Sequence, residues 1–188
     1  MHRPNAPNAP NAPQSHTTRP MRTGIALGSN LGDRLENLRS GRLAMLAIPG
    51  VKAHRASSRI YETDPVDCTP DSKAYLNAVV EVEFEGDPME LLRALQSLES
   101  NAGRPAQRAQ NSPRPLDLDI LYIGALTLHT EVLTIPHPRL HQRRFVLAPL
   151  QDIAPDLLLP GFTQNVASLL ERLEDPAQAA PVQFSWAP

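Results

Sequence analysis

From residue 116 to residue 120 the chain reads Leu-Asp-Leu-Asp-Ile, a period of two that suits an extended strand, with the apolar side chains on one face and both carboxylates on the other. Aspartate is depleted in strands, and two like charges on one pleated face lie within roughly 7 Å, where each disfavours ionisation of the other. Such a strand needs its acidic face to meet either water or something positive. A solvated edge strand meets the first condition. A pair of hard oxygen ligands for magnesium meets the second, since that ion takes one or two carboxylates and completes its shell with water and substrate phosphates.

The remaining periodicity supplies this strand with partners. Residues 23–27 form a short apolar strand that stops at Gly28-Ser29-Asn30, and Asn30 is placed to cap a helix carried by Leu31, Leu35, Leu38, Leu43 and Leu46 as far as Pro49-Gly50. Residues 51–63 look extended and residues 64–73 form a loop. Residues 75–85 alternate as a second long strand. Asp87-Pro88 opens a second amphipathic helix through Met89, Leu91, Leu92, Leu95 and Leu98, ending near Gly103. An arginine-bearing loop then leads to the acidic strand, which ends at Gly124. The order β-α-β-β-α-β predicts a ferredoxin-like α+β sandwich, an antiparallel sheet with helices on one face, the other face free, and a C-terminal extension. That extension has short extended pieces, a helix over residues 139–147 and a closing helix over residues 166–173.

Length and composition set the limits. The chain's 188 residues suit one globular domain, assigned here to residues 23–173. Residues 1–22, with Asn-Ala-Pro three times over, are expected to be a disordered tail, with Met21 as a possible start, and the Ala/Pro-rich residues 174–188 a loose one. A formal net charge of −2 argues against a bulk polyanion such as nucleic acid as partner. The single cysteine, Cys68, precludes an intrachain disulfide, and no apolar run approaches the length of a membrane span or a secretory signal. A cytoplasmic monomer is the expectation.

Cations gather in sequence around the two acids: Arg104, Arg108 and Arg114 before them, His137, Arg139, His141, Arg143 and Arg144 after. Carboxylates for metal flanked by guanidiniums for phosphate are what phosphoryl transfer requires. No Gly-rich P-loop exists in the sequence, so a nucleotide would bind outside that class. Tyr75 and Asn77 share a strand face, and an asparagine offers a donor and an acceptor to a heterocycle edge.

Five stretches together resemble the 6-hydroxymethyl-7,8-dihydropterin pyrophosphokinases of folate biosynthesis. They are Ala26-Leu27-Gly28-Ser29-Asn30-Leu31, Tyr61-Glu62-Thr63-Asp64-Pro65, Tyr75-Leu76-Asn77, Pro113-Arg114-Pro115-Leu116-Asp117-Leu118-Asp119-Ile120-Leu121, and Pro136-His137-Pro138-Arg139 running on to Arg143-Arg144-Phe145-Val146-Leu147. The resemblance implies transfer of the pyrophosphoryl group of ATP to the pterin hydroxymethyl oxygen, with release of AMP. It implies two magnesium ions on Asp117 and Asp119, with Arg104 and Arg114 in the catalytic set. ATP contacts are implied for Gln96, Glu99, Arg114, Ile120, Thr134, His137 and Arg143, and pterin contacts for Thr63, Pro65, Val66, Tyr75, Asn77 and Phe145.

The chain departs from the family pattern before the acidic strand. Gln110-Asn111-Ser112 stands where a basic residue, an aromatic and a small residue are usual, and Ala106 stands in place of a frequent arginine. Two other readings use the same residues. A magnesium-dependent phosphohydrolase or nucleotidyl transferase differs by its products. An RNA-binding module needs aromatic and basic residues where this strand carries two acids.

Overall fold

The computed structural model describes residues 17–64, 74–103 and 113–187. Among them, six strands form one antiparallel sheet in the order β5-β1-β4-β3-β8, with β2 also paired to β4. β1 (Met21–Ser29) runs between β4 (Tyr75–Phe84) and β5 (Asp117–Ile123). The extended stretch after the first helix is two strands, β2 (Val51–Ser57) and β3 (Tyr61–Thr63), because Ser58 interrupts it. Ser58 exchanges backbone and side-chain hydrogen bonds with Val79, and the two strands pair with opposite ends of β4.

The helical layer covers the face bearing Ile25, Leu27, Ala78, Val80, Leu118 and Ile120, which pack with Leu38 and Met45 of α1 (Arg34–Leu46) and Leu91 and Leu95 of α2 (Pro88–Asn101). Asp87 caps α2 as its sequence suggests, but α1 is capped by Asp33, whose carboxylate accepts the Glu36 N–H at 3.1 Å. Asn30 instead accepts the backbone N–H of Arg114. Only the last of these was hidden from local pattern, since it joins residues far apart in sequence.

The second sheet face is not free. Val79, Leu121 and Tyr122 pack there under Leu140, Val146, Leu147 and Leu150, from a 3-10 turn at Leu140–Gln142 and from α3 (Arg144–Ile153), with α4 (Val166–Glu171) behind. The helix expected over residues 139–147 is thus broken at Arg143, where the backbone is extended, and restarts to run past Pro149. A bulge makes room for α3. The β1–β5 register shifts between Gly24 and Ile25, so that Leu121 and Tyr122 both face it after the strict alternation of residues 116–120. Two short strands, β6 (Leu128–His129) and β7 (Thr134–Ile135), pair beside β5.

At the end of this face farther from Asp117, Glu81 is 2% exposed and accepts from the Tyr122 hydroxyl at 2.6 Å, Arg22 Nε at 3.0 Å and Arg55 Nε at 3.2 Å. Burial, then the bond to Glu81, raises the Tyr122 phenol well above its usual range. The Tyr122 ring lies over Gly24, where a Cβ would collide with the ring carbons. The C-terminal residues are also ordered into the fold rather than loose: β8 (Ala179–Pro181) pairs with β3, and Trp186 packs against the main core. Their small residues suit a strand that lies flat on a sheet edge.

Candidate active site

The alternation of β5 holds Asp117 and Asp119 on the second face, both part-exposed. Across the sheet, Asp117 is opposite Gly28, Gly28 is opposite Asn77, and Asn77 is opposite Tyr61. That row is a floor. A Cβ on Gly28 would sit 3.1 Å from Asn77 Oδ1 and 3.7 Å from Asp117 Cβ, so glycine keeps the space between acid and amide open. Asn77 is 7% exposed, and its Nδ2 donates to Thr63 Oγ1 at 2.6 Å. With the nitrogen engaged, the amide oxygen is the group turned over Gly28, an acceptor for an N–H on a planar ligand.

Cations close the acidic end. Arg114 Nε lies 3.3 Å from Asp117 Oδ2 without an aligned hydrogen bond, and its guanidinium carbon lies 5.9 Å from the Tyr75 ring centroid. The backbone of Arg114 is clamped by Asn30, which accepts its N–H at 2.7 Å and donates its own N–H to Arg114 O at 3.1 Å. From the start of α3, Arg143 stacks on Phe145 with 5.3 Å from guanidinium carbon to ring centroid. Burial and Arg139 lower the Arg143 guanidinium from its usual value, while Asp119 and Asp117 oppose that shift. The two acids and this arginine therefore share one field.

His137 is fixed to β5 by its N–H on Leu121 O at 2.8 Å, and its Nδ1 accepts the Arg139 N–H at 3.2 Å. Burial first, then Arg143 and Arg139, lower the imidazole to about 4. It is therefore neutral at pH 7, and since the unfolded chain takes up this proton near 6.5, stability contributed by the neutral ring is lost as pH falls from there towards 4. In an NMR titration the His137 ring signals should stay flat from pH 8 to pH 5 by about that margin. A midpoint above pH 6 would reject the half-buried, cation-flanked placement.

The remaining expected contacts are less gathered. The Ile120 side chain is 3% exposed in the helical core, leaving its backbone for any ligand. Thr134 lies on β7, its Oγ1 3.4 Å from His129 Nδ1. Gln96 is exposed on α2, while Glu99 is buried there and accepts the Leu118 N–H at 2.8 Å. Arg104, Arg108, Pro65, Val66 and the altered stretch at residues 110–112 lie outside the described residues. Two features escaped sequence reasoning. The Thr63 side chain, and not its backbone alone, orients Asn77, and Gly28 serves as floor. The glycine at the end of an apolar strand was a usable signal for the second.

Among the described residues no three His, Cys, Asp or Glu side chains converge as a metal cage. Two carboxylates on one face suit magnesium, which leaves most of its shell to water and phosphate oxygens. None of the described helices is long and apolar enough to cross a membrane.

The chain is similar to known proteins of one family. The model of the family 7,8-dihydro-6-hydroxymethylpterin-pyrophosphokinase (HPPK) matches residues 24–155. The 2-amino-4-hydroxy-6-hydroxymethyldihydropteridine pyrophosphokinase of Bacillus subtilis is 43% identical over 129 residues, covering 69% of this chain and 75% of that protein. The mitochondrial folate synthesis bifunctional protein of Pisum sativum is 42% identical over 129 residues, 69% of this chain and 24% of its own length. The chain spans between 20% and 26% of the length of the plant and fungal folate-synthesis proteins that it matches. A crystal structure of an HPPK-DHPS protein in complex with substrates superposes with a TM-score of 0.66 at 16% identity, covering 82% of this chain and 43% of that one, a likeness of fold.

Proposed function

The chain belongs to the 7,8-dihydro-6-hydroxymethylpterin-pyrophosphokinase family, and from that premise we propose that it transfers the pyrophosphoryl group of ATP to the hydroxymethyl oxygen of 6-hydroxymethyl-7,8-dihydropterin and releases AMP. The observation that carries this reading is the single row in which Asp117 and Asn77 face each other across Gly28, with Arg114, Arg143 and His137 at the acidic end. One end of the row suits a triphosphate. The other suits a flat, hydrogen-bonding heterocycle.

Asn77 Oδ1 accepts from the pterin edge, held in place by Thr63, and Tyr75 and Phe145 offer ring faces for stacking. Arg114 and Arg143 bind phosphate oxygens through their planar forks, with Arg104 completing the set. Neutral His137 donates or accepts a hydrogen bond there without adding a further positive charge. Glu99 holds β5 through Leu118, and Gln96, Ile120 and Thr134 are assigned to the nucleotide end. Asp117 and Asp119 would hold two magnesium ions, which neutralise charge on the bridging and transferring phosphates when bound. A loose phosphoryl transition state is stabilised by in-line placement and by charge, so these residues need no protein nucleophile beside them.

We further assign the core to the ferredoxin-like arrangement, on the support of the order β5-β1-β4-β2 with α1 and α2 on one face. We also propose a monomer acting on two small molecules.

Incubation with ATP, magnesium and the hydroxymethyl pterin should yield AMP and a pterin diphosphate in equal amounts by chromatography and mass spectrometry. Orthophosphate or a nucleotidyl adduct would overturn the proposal. A finer check is Gly28→Ala, whose methyl crowds Asn77 Oδ1 at 3.1 Å. It should raise the KM for pterin by about tenfold while moving that for ATP far less. An unchanged pterin KM would remove Gly28 from the floor of the cleft.

A further inference from the structure

Three segments of the fold meet in the C-terminal residues. Arg144, between Arg143 and Phe145 at the start of α3, donates its backbone N–H to Asp175 Oδ2 at 2.9 Å, and its guanidinium reaches Leu173 O at 3.1 Å. Asp175 Oδ1 accepts the Ala177 N–H at 2.9 Å, which turns the chain away from α3. β8 then lies along β3, with Ala179 opposite Thr63 and Pro181 opposite Tyr61, and the Val182 N–H reaches Ile60 O at 2.9 Å. The far end is anchored by Trp186 Nε1 on Ser58 O at 2.7 Å and by Arg39, which donates to Ser185 O and Ala187 O. The Arg42 guanidinium lies 5.3 Å from the Trp186 ring centroid.

We infer that residues 175–187 are a positioning strap, which ties the wall bearing Arg143 and Phe145 to the wall bearing Thr63 and Asn77 and so fixes the width of the cleft for the pterin ring. Asp175 and Trp186 are its positioning residues. The inference rests on the proposed substrate.

β3 has only three residues, and without β8 it would be an edge strand paired on one side alone. Its last residue, Thr63, orients Asn77, so a displaced β3 turns the amide that reads the ring. A second tie agrees with this role. Asp152, near the end of α3, accepts from Arg59 N–H and Nε on one oxygen and from the Tyr61 hydroxyl on the other. Thus α3 is referenced to the β3 segment near both its ends, by Asp152 directly and by Asp175 through the strap. Stacking and edge recognition need both walls at one spacing, whereas the phosphate-binding set is spread over Asp117, Asp119 and Arg114, which touch neither end of the strap, and only its member Arg143 lies on the strapped wall.

The test is steady-state kinetics of the full chain carrying Asp175→Ala or Trp186→Ala, with AMP release as readout. Each should raise the pterin KM by about tenfold while the ATP KM stays within about twofold. Asp175→Asn, which keeps one acceptor, and Trp186→Phe, which keeps the packing, should recover most of the loss and also report if the alanine variants fold poorly. Pterin and ATP KM rising together, or neither changing, would overturn the inference. If the unaltered chain releases AMP and the variants behave like it, only the strap is wrong. If the unaltered chain releases none, the substrate reading falls and the strap's role with it.

Discussion

Replacing Asp117 or Asp119 by alanine is expected to abolish turnover, with a loss of about 10³-fold or more in kcat, while the melting temperature barely moves. Both side chains are part-exposed on the sheet face and neither packs in a core cluster, so their removal leaves no cavity. Taking away Asp117 also strands Arg114 beside Arg143 without the carboxylate it lies 3.3 Å from, which weakens the ordering of the phosphate end. Initial rates of AMP release at saturating ATP and magnesium measure the effect. A variant that folds and keeps a tenth of the wild-type rate would show that the acids are not the metal ligands.

The second large effect concerns stability and lies away from the proposed chemistry. Glu81→Ala should cost about 3 kcal/mol, because it removes the acceptor of the buried Tyr122 hydroxyl and the partner of two guanidiniums. Arg22 and Arg55 are 46% and 40% exposed and can turn to water, so the orphaned phenol carries much of that cost. A lowering of the melting midpoint by about 8 °C is expected, with the pterin and ATP KM of the folded protein unchanged. Unfolding of the variant within 2 °C of the parent, on the same scale, would show that the network is incidental.

How far the sequence discloses this fold depends on the range over which each choice is made. Leu116 to Ile120 declare a strand and its two faces because a pleat alternates locally, and the β-α-β-β-α-β order follows from similarly local periods. The bulge at Leu121 has no such signature, since it depends on the pairing with β1 and on contacts such as that of Tyr122 with Glu81, a residue 41 positions away. The amphipathic character of α3 is visible, but its docking onto the second sheet face is a tertiary event, and the extended backbone at Arg143 that permits it is equally non-local. Composition misdirects most at residues 174–188, where alanine and proline suggest a loose tail and the lone tryptophan is the one sign of an anchor. In the site, the acids and cations announce themselves by type and spacing. The Thr63–Asn77 bond that orients the Asn77 amide does not, because both residues are ordinary strand constituents until β3 and β4 pair.

β5 forms the outer margin of the sheet, with β1 on one side and no strand on the other among the described residues. Strands so placed invite a second molecule to zip alongside, the first step in many aggregation routes. Here Glu99 occupies the Leu118 N–H and His137 occupies the Leu121 carbonyl. The Glu99 carboxylate and the His137 backbone N–H thus occupy two of the outward backbone groups of the acidic strand, and soluble expression should suffer in Glu99→Ala, which exposes the Leu118 N–H.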